Sequence, residues 1–214
     1  EKIAEHAERV IVFVLKHKEV YLKEKYERGN ISVIGVDLMD TMNSRREVIL
    51  RRIAELFLDT HTKHLHQKLY ASESGKWVRH TLSRLFMQTV AHVYPLKWLF
   101  RYAVIQWWNT NTFDTYFKEY QPDITVSTDP FSPFDTILMK NARKSNTKLI
   151  GLIRSWDNFT TKEYLQVRPD MVVVQNEDMV QEGRTLHDLK NFIVVGVPQF
   201  EYYKTYTPIS RETF

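Results

Sequence analysis

From about residue 112 the chain alternates between short β-branched runs and amphipathic stretches. A helical stretch at 112–120 stops at Gln121-Pro122-Asp123 and gives way to ITVST (124–128). A second, 133–144, opens on Pro133, a favoured first helical position. Then come KLIGLI (148–153), a polar loop, MVVVQ (171–175), a helical stretch at 178–188, and FIVVGV (192–197). Nearer the start, residues 1–9 read as the end of a helix, and VIVFVL (10–15) as a strand. The charged stretch KEVYLKEKYER is closed by Gly29-Asn30, a helix-stop pair, before ISVIGVDL (31–38). That β-α-β succession implies a parallel strand pair. Six such runs, separated mostly by helices, predict an α/β fold: a Rossmann-like parallel sheet with helices on both faces. A doubly wound domain begins with a strand that feeds its first helix. Here the chain starts inside that helix without an initiating Met, so a first strand and its turn are expected before residue 1.

Between about 44 and 110 the pattern turns wholly helical, an excursion from the sheet. Ser44-Arg45-Arg46-Glu47 has capping-box spacing and opens a helix expected to run to about Leu69. Its apolar face is Leu50, Ala54, Phe57, Leu58, Leu65 and Leu69, with Arg45, Arg46, Arg51, Arg52, Lys63 and Lys68 elsewhere. A turn at Ser72–Gly75 leads to helix 76–94. Pro95 interrupts the pattern, and LKWLFRYAVIQWW carries it to about Trp108.

Composition changes this picture little. Hydrophobic residues make up 43% of the 214 positions and charged residues 26%, ordinary for a globular protein, so the leading expectation is a folded chain. There is no cysteine, so disulfide scaffolds and thiolate metal sites are excluded, and a reducing compartment fits. The formal charge of +4 suits anionic partners or an ordinary basic enzyme. No secretory signal opens the chain, and no apolar run approaches the roughly 20 residues that span a bilayer.

Candidate chemistry collects where the strands end, because ligands of open parallel sheets sit outside the carboxyl edge. The run 124–128 ends in Thr128-Asp129-Pro130-Phe131-Ser132-Pro133, placing Asp129 beside a helix N-terminus that attracts anions. Ser132 reads as the cap of that helix. The run 148–153 ends in Arg154-Ser155-Trp156-Asp157-Asn158, with Thr160, Thr161 and Lys162 following. Arg154 and Lys162 can grip phosphate and Trp156 can stack on a sugar or base. Asp157 or Asp129 can take a proton from an acceptor hydroxyl. The structural alternative is an Arg154–Asp157 ion pair that pins the loop, with Trp156 as its anchor. The next ends supply Glu177 and Gln199, each of which also suits an ordinary cap or turn. The substrate-binding set is therefore Arg154, Ser155, Trp156, Asn158, Thr160, Lys162, Glu177 and Gln199, with Asp157 and Asp129 as candidate catalytic groups.

Three segments in order, RSWDNFTTK, RPDMVVVQNEDMVQEG with Leu186-His187, and VVGVPQFEYY, resemble bacterial surface-polysaccharide glycosyltransferases of the two-Rossmann (GT-B) type. The grouping includes CDP-glycerol glycerophosphotransferases and relatives of the UDP-N-acetylglucosamine 2-epimerase fold. The likeness is clear over about 112–206 and looser over 10–60. It departs at Glu163, where the pattern has Gly, and at Glu201, where it has Asp. The resemblance implies that residues 1–203 are the N-terminal, acceptor-side domain. Residues 204–214 would lead into a second domain holding the donor's nucleotide. It implies transfer of a sugar from a nucleotide-sugar donor to a glycan or lipid-linked acceptor, with no cofactor or metal needed. Such folds can stabilise a leaving diphosphate with helix termini and basic side chains. Glycerol phosphate transfer, 2-epimerisation of the nucleotide sugar, and a non-catalytic sugar- or partner-binding module are the alternatives.

Residues 76–108 mix Lys76, Arg79, Arg84, Lys97 and Arg101 with Trp77, Phe86, Trp98, Phe100, Trp107 and Trp108. Basic amphipathic helices with aromatics can lie in a membrane interface, which would place a cytoplasmic enzyme at the inner face of the cell membrane. Alternatively the aromatics pack on the sheet while the charges are solvated. His61, His64 and His66 do not share one helical face, so a metal site is not expected. No RNA- or DNA-binding module is recognisable, and nucleic acid is not an expected partner.

Overall fold

The structure is a computed structural model that describes residues 3–106, 111–201, 203 and 206. The side chains of Arg79, His80 and Gln199 are outside that description. The chain divides into two compact units, residues 1–48 and 49–214.

In the first unit, β1 (Val10–Leu15) pairs in parallel with β2 (Ile31–Val36), from Val10 opposite Ile31 to Leu15 opposite Val36. The crossover is α1 (Glu19–Tyr26). Glu19, its first residue, pairs with Lys16 Nζ at 2.5 Å and Lys23 Nζ at 3.1 Å. Its carboxylate also lies against Gly35, where an added Cβ would meet it at 2.5 Å, so β2 needs a residue without a side chain there. The Asn30 amide ties the preceding segment down by donating to the carbonyls of Ala4 and Ala7, at 2.8 and 2.6 Å. A short helix, α2 (Met39–Met42), precedes α3 (Arg45–Leu56). The expected Ser44 cap is present: its Oγ accepts from Glu47 N at 3.4 Å.

In the second unit, β3 (Ile124–Ser127), β4 (Lys148–Leu152), β5 (Met171–Val174) and β6 (Phe192–Val194) form one parallel sheet in that order. The helices of the unit are α4 (His61–Ser74), α5 (Trp77–Val90), α6 (Tyr94–Gln106), α7 (Asp114–Tyr120), α8 (Pro133–Lys144), α9 (Asn158–Thr161) and α10 (Glu177–His187). The α/β class and the parallel pairing match expectation. The six strands, however, bond into sheets of two and four strands.

The expected cover on both faces also differs. Thr125, Ser127, Leu149, Val172 and Val174 are buried on one face, whereas Ile124, Val126 and Ile193 on the other are exposed. Strand order follows chain order here, and right-handed crossovers in such a sheet all return over the same side. Gly151 and Gly183 permit that packing. A Cβ on Gly151 would meet Pro169 at 2.8 Å, and one on Gly183 would meet the Phe192 ring at 2.7 Å.

The expected helix from 44 to 69 is two helices. Thr60 ends the run: its Oγ1 accepts from Lys63 N at 3.2 Å and donates to Thr160 O at 2.6 Å. The restart shifts the helical phase. Leu50, Ala54, Phe57 and Leu58 are buried as predicted, but Leu65 and Leu69 are exposed, and Lys63 and Ala71 turn inward instead. Nor are all the basic residues of the excursion solvated: Lys97 and Arg101 of α6 are buried. Trp107 and Trp108 lie outside the described residues. No helix among the described residues is long and apolar enough to cross a membrane.

These buried cations join the helical block to the loops around the sheet. Lys63 Nζ donates to Lys162 O at 2.7 Å, and Lys97 Nζ to Leu186 O at 3.3 Å. Arg101 donates from Nε to Leu165 O at 3.1 Å and from Nη2 to His187 O at 2.6 Å. Its guanidinium lies 4.3 Å from the centre of the Tyr164 ring, which stacks on His187. His187 is fully buried. Its Nδ1 accepts from Leu165 N at 3.1 Å, and its Nε2 lies 2.8 Å from Phe159 O, which fixes the tautomer with the proton on Nε2.

Burial holds the His187 pKa at about 3, against 6.5 for a free imidazole. The unfolded chain therefore binds the extra proton first, and stability falls as pH drops from 6.5 toward 3. Between pH 7 and pH 5 this group alone should remove about 2 kcal/mol. His187→Gln should flatten the urea-unfolding free energy over that interval by the same amount; parallel wild-type and variant profiles would show that His187 is not the acid-sensitive group.

Candidate functional site

The carboxyl ends of β3, β4 and β5 are cross-linked. Asp135, in the first turn of α8, accepts from Ser127 Oγ and from Asp129 N, each at 2.8 Å, fixing the end of β3. Burial is the main cause that raises its pKa. Ser132 caps α8 as predicted, accepting from Asp135 N at 3.1 Å. From β4, Arg154 Nη1 reaches Asp129 Oδ2 at 3.5 Å, and Gln175 after β5 donates its amide to Arg154 O at 2.8 Å. The ion pair on this loop is thus Arg154–Asp129 and not Arg154–Asp157. Its Arg154 side is exposed and its Asp129 side half-buried, so the pair contributes little to stability and the guanidinium remains open to a ligand.

Asp157 belongs to its own loop. Ser155 Oγ donates to Oδ1, and Thr161 Oγ1 donates to Oδ2 at 3.3 Å. Its carbonyl accepts from the hydroxyls of Thr160 and Thr161, at 3.0 and 2.8 Å. The Ser155 hydrogen bond is the largest cause that lowers its pKa, so the carboxylate stays ionised and is a weak base. Trp156 is 70% exposed, which removes the anchor reading. Asn158 is buried at the start of α9. Glu177 is exposed as the first residue of α10, behind the cap Asn176, whose Oδ1 accepts from Met179 N at 2.9 Å. The Gln199 side chain lies outside the described residues; its backbone is in the turn Pro198–Glu201.

Beside this rim opens a cavity of about 1320 Å³. Its walls come from α3, α4 and α5 together with Phe131 and Thr161–Glu163. Of the predicted residues only Lys162 lines it; Asp129, Arg154, Trp156, Asp157 and Glu177 do not. The polar groups facing it include Arg52, Glu55, Lys63, His66 and Glu163, none of them in the predicted set.

Glu163 is the chemically distinctive group. Burial pushes its pKa up to about 7, and the neighbouring Glu55 adds to the rise. The amide of Gln166, donating to Oε1 at 2.6 Å, and the charges of Lys63 and Arg51 act against it. Lys63 is itself desolvated, which lowers its pKa. A carboxyl group that exchanges its proton near neutrality is suited to acid–base work. The one sequence signal was its place directly after Lys162, where the chain departs from the glycosyltransferase pattern it resembles.

Elsewhere, Asp59 bridges two histidines, with His64 Nε2 at 2.5 Å and His92 Nε2 at 3.0 Å. Among the described residues, no group of histidine and carboxylate side chains is arranged to hold a metal ion.

No protein-family model, curated protein or solved structure matches the chain.

Carboxyl-selective ¹³C NMR checks these electrostatics. The Glu163 carboxyl should titrate near pH 7 and that of Asp157 below the ordinary aspartate range. Glu55→Gln should lower the Glu163 midpoint and Lys63→Met should raise it. An ordinary Glu163 midpoint, unmoved by either substitution, would contradict the description.

Proposed function

We propose that this chain is the acceptor-side half of a GT-B glycosyltransferase, moving a sugar from a nucleotide-sugar donor to a cell-surface glycan or lipid-linked acceptor. The observation that carries the reading is the carboxyl edge of the parallel sheet. There Arg154 and Gln175 join three strand ends beside a cavity with a titratable carboxyl group in its wall. A parallel sheet presents ligands at this edge, and the resemblance in RSWDNFTTK falls on the same loop.

In this reading Arg154 and Lys162, both exposed, orient the donor's phosphates. Asp157 holds the loop through Ser155 and Thr161 and acts on position rather than on protons. Asp129 keeps Arg154 in place. A second α/β domain supplies the nucleotide pocket.

The helical block supports a location at a lipid surface. Trp77 and Leu85 on α5, and Trp98, Leu99 and Tyr102 on α6, are all at least 46% exposed. Lys76 and Arg84 stand among them, as in helices that lie on anionic bilayers. The enzyme then works peripherally at the inner face of the cell membrane.

The test is incubation of the full-length polypeptide with radiolabelled nucleotide sugars, with and without a membrane-lipid fraction. Label should pass to lipid or glycan. Arg154→Ala should lower kcat/KM about ten-fold, the effect of one charge-assisted hydrogen bond. A changed free sugar would identify an epimerase, and no turnover of any nucleotide sugar would leave a binding module.

A further inference from the structure

The cavity joins two kinds of wall. α5 presents Val78, Leu82 and Phe86, four residues apart along one helix face, and they are 75%, 63% and 47% exposed. The segment after α9 presents Lys162 and Glu163, and the first turn of α4 presents Lys63. The volume, about 1320 Å³, exceeds the roughly 300–1,000 Å³ of ordinary small-molecule clefts. A free sugar can stack on Phe86 but leaves the aliphatic Val78 and Leu82 uncovered, and a plain hydrocarbon has nothing to offer Glu163 and Lys63. Charge does not select an anionic head either, because Glu55 and Glu163 share the space with Arg52, Lys63 and Lys162. A neutral, hydroxyl-bearing head on an apolar body satisfies both walls.

We propose that the cavity binds an amphiphilic alcohol of the glycolipid kind. Its hydroxyl head meets Glu163 and Lys63, its apolar body runs along Val78, Leu82 and Phe86, and Glu163 accepts the proton of the reacting hydroxyl. The catalytic part rests on the glycosyl-transfer reading above. In that step the acceptor oxygen bonds to the anomeric carbon of the nucleotide sugar. The bond from that carbon to the diphosphate oxygen breaks, and its electron pair leaves with the nucleoside diphosphate. The hydroxyl proton passes to the Glu163 carboxylate.

The geometry prepares this group. Gln166 holds one carboxylate oxygen at 2.6 Å, and the flanking residues are tied through Lys162 O to Lys63 and through Tyr164 N to Ala54 O. Lys63 gives one of its three N–H donors to Lys162 O, which leaves it able to donate to a ligand hydroxyl. The charged groups around Glu163 are Glu55 and Arg51 from α3, Lys63 from α4 and the adjacent Lys162, with Arg52 of α3 and His66 of α4 on the cavity wall. Its pKa of about 7 matches a base that works near neutral pH.

The experiment titrates the methyl- and carboxyl-labelled chain with octyl β-glucoside below its micelle concentration, and separately with methyl β-glucoside. Octyl glucoside should shift the Val78 and Leu82 methyls and displace the Glu163 titration; methyl glucoside should bind about ten-fold or more weakly. Leu82→Asn, at an exposed position and without a new charge, should weaken octyl glucoside about as much while leaving the Glu163 titration of the free protein in place. Equal binding of both glucosides, or silent methyls, would overturn the site.

For the base, Glu163→Gln in the full-length polypeptide should cut kcat with a lipid acceptor about 100-fold or more with little change in KM. It should unfold no earlier than wild type at pH 8, since it removes a carboxylate that the folded state disfavours. An unchanged kcat would remove Glu163 from the mechanism. Transfer to glycans by a protein whose cavity ignores octyl glucoside leaves the transferase reading standing and ends this one. Octyl glucoside binding without turnover of any nucleotide sugar does the reverse for the catalytic step.

Discussion

Three buried cations hold the second unit's site together. Lys63, Lys97 and Arg101 reach from the helical block and donate to main-chain carbonyls at 162, 165, 186 and 187. Removing an ammonium or guanidinium from water costs several kcal/mol, and only well-placed acceptors offset it. Carbonyl groups at the end of α10 and in the loop after α9 need donors just as strongly, because the backbone there has left its ladders. Each side resolves the other's deficit. The Tyr164 ring, with Lys97 4.8 Å and Arg101 4.3 Å from its centre, adds cation–π attraction to the same junction.

This junction bears on which carboxyl group exchanges its proton near neutrality. Residues 162, 164 and 165 are fixed by main-chain hydrogen bonds to Lys63, Ala54, Arg101 and His187. Glu163, between them, has its position set from both sides. The Asp157 carboxylate accepts from Ser155 and Thr161 and its carbonyl from Thr160 and Thr161, so it serves as the fastening of the loop. The two acids lie six residues apart with opposite shifts, one raised by burial and one lowered by hydrogen bonds. Such divergence separates a titrating role from a positioning role.

What the sequence made legible is what local chemistry controls. The strand positions, the Ser132 and Ser44 caps and the parallel pairing all follow from β-branched runs and cap residues within a few positions of each other. The break at Thr60 was not legible, because the apolar period passes through it with only a Thr to mark the cap. Its consequence, Lys63 turning inward while Leu65 and Leu69 turn out, follows from that phase shift. The cavity was hidden for a different reason. It depends on contacts such as Lys63 with Lys162 and Arg101 with His187, 99 and 86 residues apart in the chain, which no periodicity encodes. The rim around Arg154 was legible as a place, but not in its pairing: the partner is Asp129 on the neighbouring strand, not Asp157 three positions on.

The buried cations fix the segment bearing Glu163. Native-state amide hydrogen exchange on Arg101→Met tests this most directly, because Met keeps the packing volume and removes the donors. Tyr164 and Leu165, together with the first turn of α4, should lose protection as one group, while Val172 and Val174 in β5 keep theirs. Loss of protection spread evenly over the sheet, or none at residues 164 and 165, would contradict the account.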